Sequence, residues 1–443
     1  MGGGPSTALT RAELENHWLP FTDNKTFKDD PRLVARGEGV YLWNQRGEKL
    51  LDGSAGLFTT ALGHCRPEIT EAVSAQLGEL DYIPSFLRSH PRSFEAANLL
   101  ARMLPAPINH VFFCNSGSES VDTAMKIVIQ YHLARGQAQR NVFVTRDRAY
   151  HGVNLGGTAL SGIARNRQAF GSLVPGIVHM RDTWDADQCF SRGQPARGGL
   201  DLADDLLRAV RTHGPDRIAA CFVEPIAGST GVLIPPLGYL ERIREICDDY
   251  GILLVFDEVI TGFGRTGAAF GADSFGVTPD IMTMAKALTN GAQPMGAVGV
   301  RDDIYAAVVD AGPGDAVEFA HGYTFSAHPA ACAAAIATLG IYEREKIFER
   351  SGEMSEYFLD SVFALQNLPA VADIRGYGML AGFDVAAQGT PGLRGMRLQR
   401  ALFDAGLHIK TTGDAAILAP PLIVEKSQID AMCEILRDVL KSI

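Results

Sequence analysis

The sequence predicts an α/β protein with a mostly parallel central sheet covered by helices and a smaller α+β domain formed by the N- and C-terminal segments. Three observations predict it. From about residue 110 to 300, short apolar runs alternate with amphipathic stretches, the pattern of a sheet buried on both faces. The first 60 residues and the segment after about 330 mix strand and helix patterns with turns instead. At 443 residues the chain exceeds one minimal core. The expected division is 1–60 for the N-terminal part of the small domain, 61–329 for the large domain and 330–443 for the rest of the small domain.

Taken in order, Gly39-Val-Tyr-Leu-Trp43 and Leu50-Leu-Asp52, joined through Gln45-Arg-Gly-Glu48, read as a hairpin. Amphipathic helices fit 68–80 and 92–104, the second stopped by Pro105. Strands are expected at 110–114, 141–145, 218–223, 251–256, 281–284 and 296–300, with helices at 118–135, 201–213 and 237–249. A helix-like stretch over 329–345 opens the C-terminal segment.

Composition excludes several classes. A net charge of −11 disfavours a nucleic-acid partner, because phosphate backbones need a Lys and Arg excess. The seven cysteines are odd in number and contain no C-x-x-C pair, which speaks against a disulfide framework or a zinc site and for a reducing compartment. The opening Met1-Gly-Gly-Gly-Pro-Ser-Thr-Ala8 lacks the basic start and apolar core of a signal peptide. No apolar stretch approaches the roughly 20 residues that span a bilayer. A cytoplasmic protein without a membrane partner is expected.

In open α/β sheets ligands collect beyond the carboxyl ends of the strands, so residues just after each strand are the candidates. Asn115-Ser116-Gly117-Ser118 follows one strand and opens a helix, where free N–H groups and the helix dipole make an anion site. The plainer reading is that these residues cap the helix. Asp257 emerges from the apolar run Leu253-Leu-Val-Phe256, where a carboxylate is costly unless it meets a cation or donors. It is either the partner of a bound cation or a structural tie, and Glu258 reads as a loop or ion-pair residue. Lys286 sits in the apolar run Ile281-Met-Thr-Met-Ala-Lys286. It either snorkels to water or is a desolvated nucleophilic amine.

Gly262-Phe-Gly264-Arg-Thr-Gly267 matches the G-x-G-x-x-G spacing of dinucleotide sites. Val259-Ile-Thr261 separates it from the strand and no helix pattern follows, so it reads as a mobile glycine loop. A nicotinamide-dependent oxidoreductase built on that loop is the rival from another class. Tyr150 in Tyr150-His151-Gly152 could stack on a flat heterocycle or pack ordinarily. His151 has no second His or Cys at ligand spacing, so no metal site is expected.

Together these residues resemble the class III aminotransferases, within the fold-type I pyridoxal-phosphate enzymes. Val255-Phe-Asp-Glu-Val-Ile-Thr-Gly-Phe-Gly-Arg265, Pro279-Asp280 and Ala285-Lys286-Ala-Leu288 are its most specific pieces. It runs from Leu51-Asp-Gly-Ser-Ala-Gly56 to Ala419-Pro-Pro-Leu422. Asn115-Ser-Gly-Ser-Glu-Ser120, Tyr150-His-Gly152, Val223-Glu-Pro-Ile226 and His321-Gly-Tyr-Thr-Phe-Ser-Ala-His-Pro329 place it near the ω-amino acid (β-alanine):pyruvate transaminases.

The resemblance implies pyridoxal 5′-phosphate as cofactor and an amine and a keto acid as substrates. By it, Lys286 bonds the cofactor and shuttles the Cα proton, and Asp257 pairs with the pyridine N–H⁺. Tyr150 and Val259 flank the ring. Ser116, Gly117 and Ser118 surround the phosphate, with Thr324 from a second subunit, while Glu224 and His151 support the ring. A homodimer with shared sites is implied, with a tetramer as a further assembly.

Phe21, Leu57, Phe58 and Phe86 match substrate-pocket positions, Phe58 standing where a bulkier Trp is common. Gly406-Leu-His-Ile-Lys410-Thr-Thr-Gly-Asp414 carries Lys410 where relatives have a carboxylate-clamping Arg. The exchange replaces a bidentate fork by a point charge, so a raised keto-acid requirement is expected. An aminomutase or decarboxylase on the same fold is the nearer rival, since fold does not choose among reactions of one cofactor.

Overall fold

The computed structural model describes residues 9–171 and 173–443. The opening residues read above as lacking a signal peptide, 1–8, lie outside the described residues. Among the described residues no helix is long and apolar enough to cross a membrane.

The central sheet has seven strands, labelled here β1 (Ile108–Cys114), β2 (Val142–Arg146), β3 (Ile177–Met180), β4 (Ile218–Val223), β5 (Leu253–Asp257), β6 (Ile281–Met284) and β7 (Gly296–Arg301). They lie side by side in the order β1-β7-β6-β5-β4-β2-β3. Only β7 runs against its neighbours β1 and β6; the other pairings are parallel. The carboxyl ends of β1, β2, β4, β5 and β6 therefore share one edge. Every residue of β4, β5 and β6 is buried, as a sheet covered on both faces requires.

Two smaller four-stranded sheets flank this layer. One joins Val34–Glu38, Tyr41–Asn44 and Lys49–Asp52 to Leu407–His408, so the N- and C-terminal segments meet in a single sheet. There Leu407 and His408 pair in parallel with Leu51 and Asp52. The other contains Val371–Tyr377, Leu380–Val385, Ala415–Leu418 and Lys410–Thr412. This arrangement brings Lys410 back to the turn that follows Asp52.

The departures from the sequence reading have local causes. Strand β5 starts at Leu253 rather than 251 because Gly251, at φ +62°, terminates the helix Tyr239–Tyr250 in a left-handed cap. The helix expected over 201–213 is two, Gly199–Ala203 and Asp205–His213, parted at Asp204. Strand β3 went unread, since four residues after Pro175-Gly176 are too short to show a period.

The glycine loop is packed into the fold and not free in solvent. Residues 262–266 are buried, Gly262 N–H donates to the Glu258 carbonyl at 2.9 Å, and the Arg265 guanidinium reaches the carbonyls of Met379 at 3.1 Å and Pro420 at 2.6 Å. Glu258 makes no ion pair among the described residues either. Its buried carboxylate accepts from the N–H groups of Gly271 at 2.9 Å and Ala272 at 2.7 Å and from the Thr261 hydroxyl. Burial pushes its pKa up to about 7.

Candidate active site

One cavity at the carboxyl edge of the sheet is lined by Gly117, Ser118, Tyr150, His151, Gly152, Glu224, Asp257, Val259, Ile260 and Lys286. Eight of the residues singled out in the sequence thus converge from five separate strand ends. That convergence follows from the topology, because parallel strands deliver their following residues to one side.

The anion end of the cavity is the start of the helix Gly117–Ala134. Ser116 is its N-cap, its hydroxyl accepting from Glu119 N–H at 3.2 Å, so for Ser116 the capping reading holds. The Ser118 hydroxyl oxygen accepts from Val153 N–H at 3.0 Å, which leaves its own hydrogen free to donate. Gly152, at φ +96°, lies so close that a Cβ there would come within 2.5 Å of Ser118 Oγ. A Cβ on Gly117 would stand 3.0 Å from Val259 Cγ1. The two glycines thus let backbone pack against Ser118 and Val259 more closely than a side chain would permit, and both line this end of the cavity as a cradle of main chain. First-turn N–H groups have no acceptor within their own helix, so the cradle suits a phosphate.

Asp257 is 5% exposed at the end of β5. The Nδ1–H of His151 donates to its Oδ2 at 2.8 Å, and Val259 N–H donates to Oδ1 at 3.1 Å. This leaves Nε2 of His151 to accept from the Thr145 hydroxyl at 3.2 Å. The carboxylate is thereby oriented without being neutralised by an Arg or Lys, as a partner for a bound cationic ring nitrogen must be. Beside it the Glu224 carboxylate takes Tyr150 N–H at 3.0 Å and Gly228 N–H at 3.3 Å. Burial pushes Glu224 up to about 7, against the pull of His151 and with the repulsion of Asp257.

Lys286 follows β6 at φ +51°, a conformation uncommon for a residue with a Cβ. The strand end is pinned by the Ser120 hydroxyl on the Met284 carbonyl at 3.2 Å, and the Tyr342 hydroxyl holds the Ala287 carbonyl at 2.8 Å. The side chain does not snorkel to bulk water; it lines the cavity with its ammonium 5.0 Å from the Phe58 ring centroid. Burial lowers its pKa to about 8, Asp257 pulls it back up, and the Lys410 charge lowers it further.

Lys410 is half-buried, and burial followed by the Arg165 charge lowers its pKa. Phe58 is buried, whereas Leu57 at 52%, Phe86 at 50% and Phe21 at 75% are exposed on this single chain. Thr324 is exposed and does not line the cavity; its carbonyl accepts from the Tyr82 hydroxyl at 3.1 Å. Sequence reasoning gave no role to Gly152, Thr145, Ile260 or Asp52. Gly152 and Asp52 stood inside quoted motifs, but their roles depend on a close approach that spacing does not show.

A cradle for phosphate, an oriented buried carboxylate and a desolvated lysine amine fit pyridoxal phosphate, and define a site for that class of enzyme. Residues 24–440 match the family Aminotransferase class-III, and the chain belongs to it. It is a pyridoxal-phosphate-dependent aminotransferase.

The chain is 47% identical over 431 residues to an ω-aminotransferase of Caulobacter vibrioides, covering 97% of this chain and 98% of the relative. It is 44% identical over 440 residues to an ω-amino acid–pyruvate aminotransferase of Pseudomonas putida, covering 99% and 98%. The ω transaminase from Pseudomonas jessenii, solved in complex with PMP, matches with a TM-score of 0.93 at 31% identity over 98% of each chain.

Proposed function

We propose that the protein transfers an amino group from an ω-amino acid or primary amine to a keto acid, pyruvate, in two half-reactions. The observation that carries this is the single cavity uniting Lys286, Asp257 and the Gly117 helix start, in a chain so similar to ω-amino acid–pyruvate aminotransferases. Bound pyridoxal phosphate supplies an aldehyde that condenses with amines and a pyridinium that draws electrons from the substrate Cα. Lys286, in the cavity lining, would hold the cofactor through Nζ until an amine arrives. Its freed amine, with pKa lowered to about 8, takes the proton from the substrate Cα and returns it to complete the transfer.

Asp257, steadied by His151 and Val259 N–H, keeps the proton on the ring nitrogen; each pKa unit of such bias is worth about 1.4 kcal/mol. Tyr150 and Val259, which line the same cavity, would flank the ring. Gly117 and Ser118 bind the phosphate, and Ser116 shapes their turn. Glu224 fixes the Tyr150 backbone. Leu57, Phe58, Phe21 and Phe86 bound the amine's side chain.

Thr324 completes the phosphate site of a second copy, which makes the working unit a homodimer. Support comes from the exposed patch where Thr324 is tied to Tyr82, with Phe86 packed against Gly322. Light scattering is expected to give two chains per particle, or four; a monomer with full activity would overturn this. The seven cysteines are all free, which suits the reducing cytoplasm where we place the enzyme.

Donor class is tested by the visible band of the purified holoenzyme. β-Alanine is expected to bleach it in the absence of keto acid and simple alkyl amines to do so less; no bleaching by any ω-amine would refute the assignment. Product analysis with and without pyruvate separates transamination from decarboxylation or amino-group migration.

Two further outcomes follow from the charges. Cofactor capture by the apoenzyme needs the uncharged Lys286 amine, which becomes populated as pH rises. The capture rate should therefore climb through a midpoint near 8 rather than the 10.5 of an ordinary lysine. Lys410→Ala should raise the pyruvate KM by roughly tenfold, the loss of one charge-assisted contact, and should move the Lys286 capture midpoint above 8, because the Lys410 charge lowers that pKa. Lys410→Arg should restore or improve pyruvate use, and an unchanged KM in Lys410→Ala would remove Lys410 from the site.

A further inference from the structure

Asp52 ends the strand Lys49–Asp52 with its side chain wholly buried. Its Oδ1 accepts Ser54 N–H at 3.0 Å, and its Oδ2 accepts both Gly56 N–H and the His64 Nε2–H at 2.6 Å. A buried carboxylate is costly, so what it holds is informative. It holds a turn with three residues in the left-handed region: Ala55 at φ +46°, Gly56 at +65° and Phe58 at +61°. Two of the three carry side chains that disfavour this conformation, and such a turn persists only where its surroundings over-determine it.

The remaining ties come from the C-terminal segment. Gly53 N–H donates to the His408 carbonyl at 2.8 Å, and the His408 Nε2–H donates to the Gly56 carbonyl at 3.0 Å. The Ser54 hydroxyl accepts Lys410 N–H at 2.9 Å and donates to the Ile417 carbonyl at 3.2 Å. The same short turn therefore places two things at once. Its far end sets the Phe58 ring 5.0 Å from Lys286 Nζ, and its near end anchors the backbone of Lys410.

We propose that Asp52 is a positioning residue for the transamination site, acting through Gly56 N–H and His64 to hold the 54–58 turn so that Phe58 walls the space beside Lys286. The inference rests on the reading of Lys286 and Phe58 as site residues given above. Asp52 touches neither cofactor nor substrate. Its effect on the reaction runs through the ring of Phe58, and that route distinguishes it from a residue that merely stabilises the small sheet.

A double-mutant cycle on the holoenzyme tests this. Asp52→Asn turns one acceptor oxygen into a donor, so either Ser54 N–H or both Gly56 N–H and His64 Nε2–H lose their acceptor. The rate of the amine half-reaction, followed at the cofactor band, should fall about tenfold in Asp52→Asn and about threefold in His64→Ala, as displaced reacting groups do. In a Phe58→Leu background each loss should shrink to within about twofold, because the ring they position is gone.

Equal losses in both backgrounds, or a folded Asp52→Asn enzyme with the wild-type rate, would overturn the proposal. Should Asp52→Asn not fold, the His64→Ala cycle, at a partly exposed position, decides by the same criterion. Borohydride labelling of the wild-type enzyme separates the two claims. Lys286 unlabelled would sink the site assignment, whereas Lys286 labelled with additive losses would sink only the role of Asp52.

Discussion

Lys286→Ala is expected to lose at least about 10⁴-fold in turnover, the upper range for removing a positioned proton carrier, with the loss of covalent holding in addition. The reason is local. The amine lies beside the Phe58 ring and lines the same cavity as Asp257, and burial brings its pKa to about 8. Among the described residues no other lysine lines that cavity. The fold should survive, since alanine removes a poorly solvated cation and leaves the hydrogen bond from Tyr342 to the Ala287 carbonyl intact. Circular dichroism and the melting temperature check the fold; stopped-flow absorbance checks the chemistry. Turnover within a hundredfold of wild type would assign the proton transfer to another group.

Asp257→Asn should follow, with kcat/KM reduced by about 10²–10³-fold, corresponding to roughly two to three pKa units of lost bias on the ring nitrogen. The carboxamide has nearly the same shape: its oxygen still accepts Val259 N–H, and its NH2 faces His151, which accepts it at Nδ1 once the ring proton moves to Nε2 beside the Thr145 hydroxyl, so the change is in charge more than in packing. Cofactor content should stay near that of wild type, because the Gly117 and Ser118 cradle and the flanking Tyr150 and Val259 are untouched. The signature is a loaded but slow enzyme. The effect on Lys286 has a definite sign as well. The Asp257 anion raises the lysine pKa and the carboxamide removes that attraction, so the capture midpoint should move below 8. Loss of cofactor with normal residual chemistry would make Asp257 an anchor rather than an electronic partner.

Much of the fold was legible because the strands of the central sheet are short, largely apolar and separated by amphipathic helices. β4 and β6 stand where the sequence put them, at Ile218–Val223 and Ile281–Met284. The β5 boundary moved because a glycine cap ended the preceding helix later than the pattern suggests. Site residues at or just beyond strand ends, such as Asp257 and Glu224, were findable, since strand ends are where parallel sheets place ligands.

What stayed hidden depends on contacts between distant segments. The buried state of Glu258 and of the 262–266 loop comes from packing against 271–272, 379 and 420, which no local pattern encodes. Asp52 looked like the end of a hairpin strand; its grip on Gly56 and His64 emerges only once the chain is folded. Lys286 was ambiguous on its own run of sequence, and the cavity around it decides between water and chemistry.

The most direct test of the central claim is borohydride reduction of the native holoenzyme followed by peptide mapping by mass spectrometry. A single cofactor-modified peptide is expected, with the adduct on Lys286. An adduct on a different lysine, or none, would contradict it.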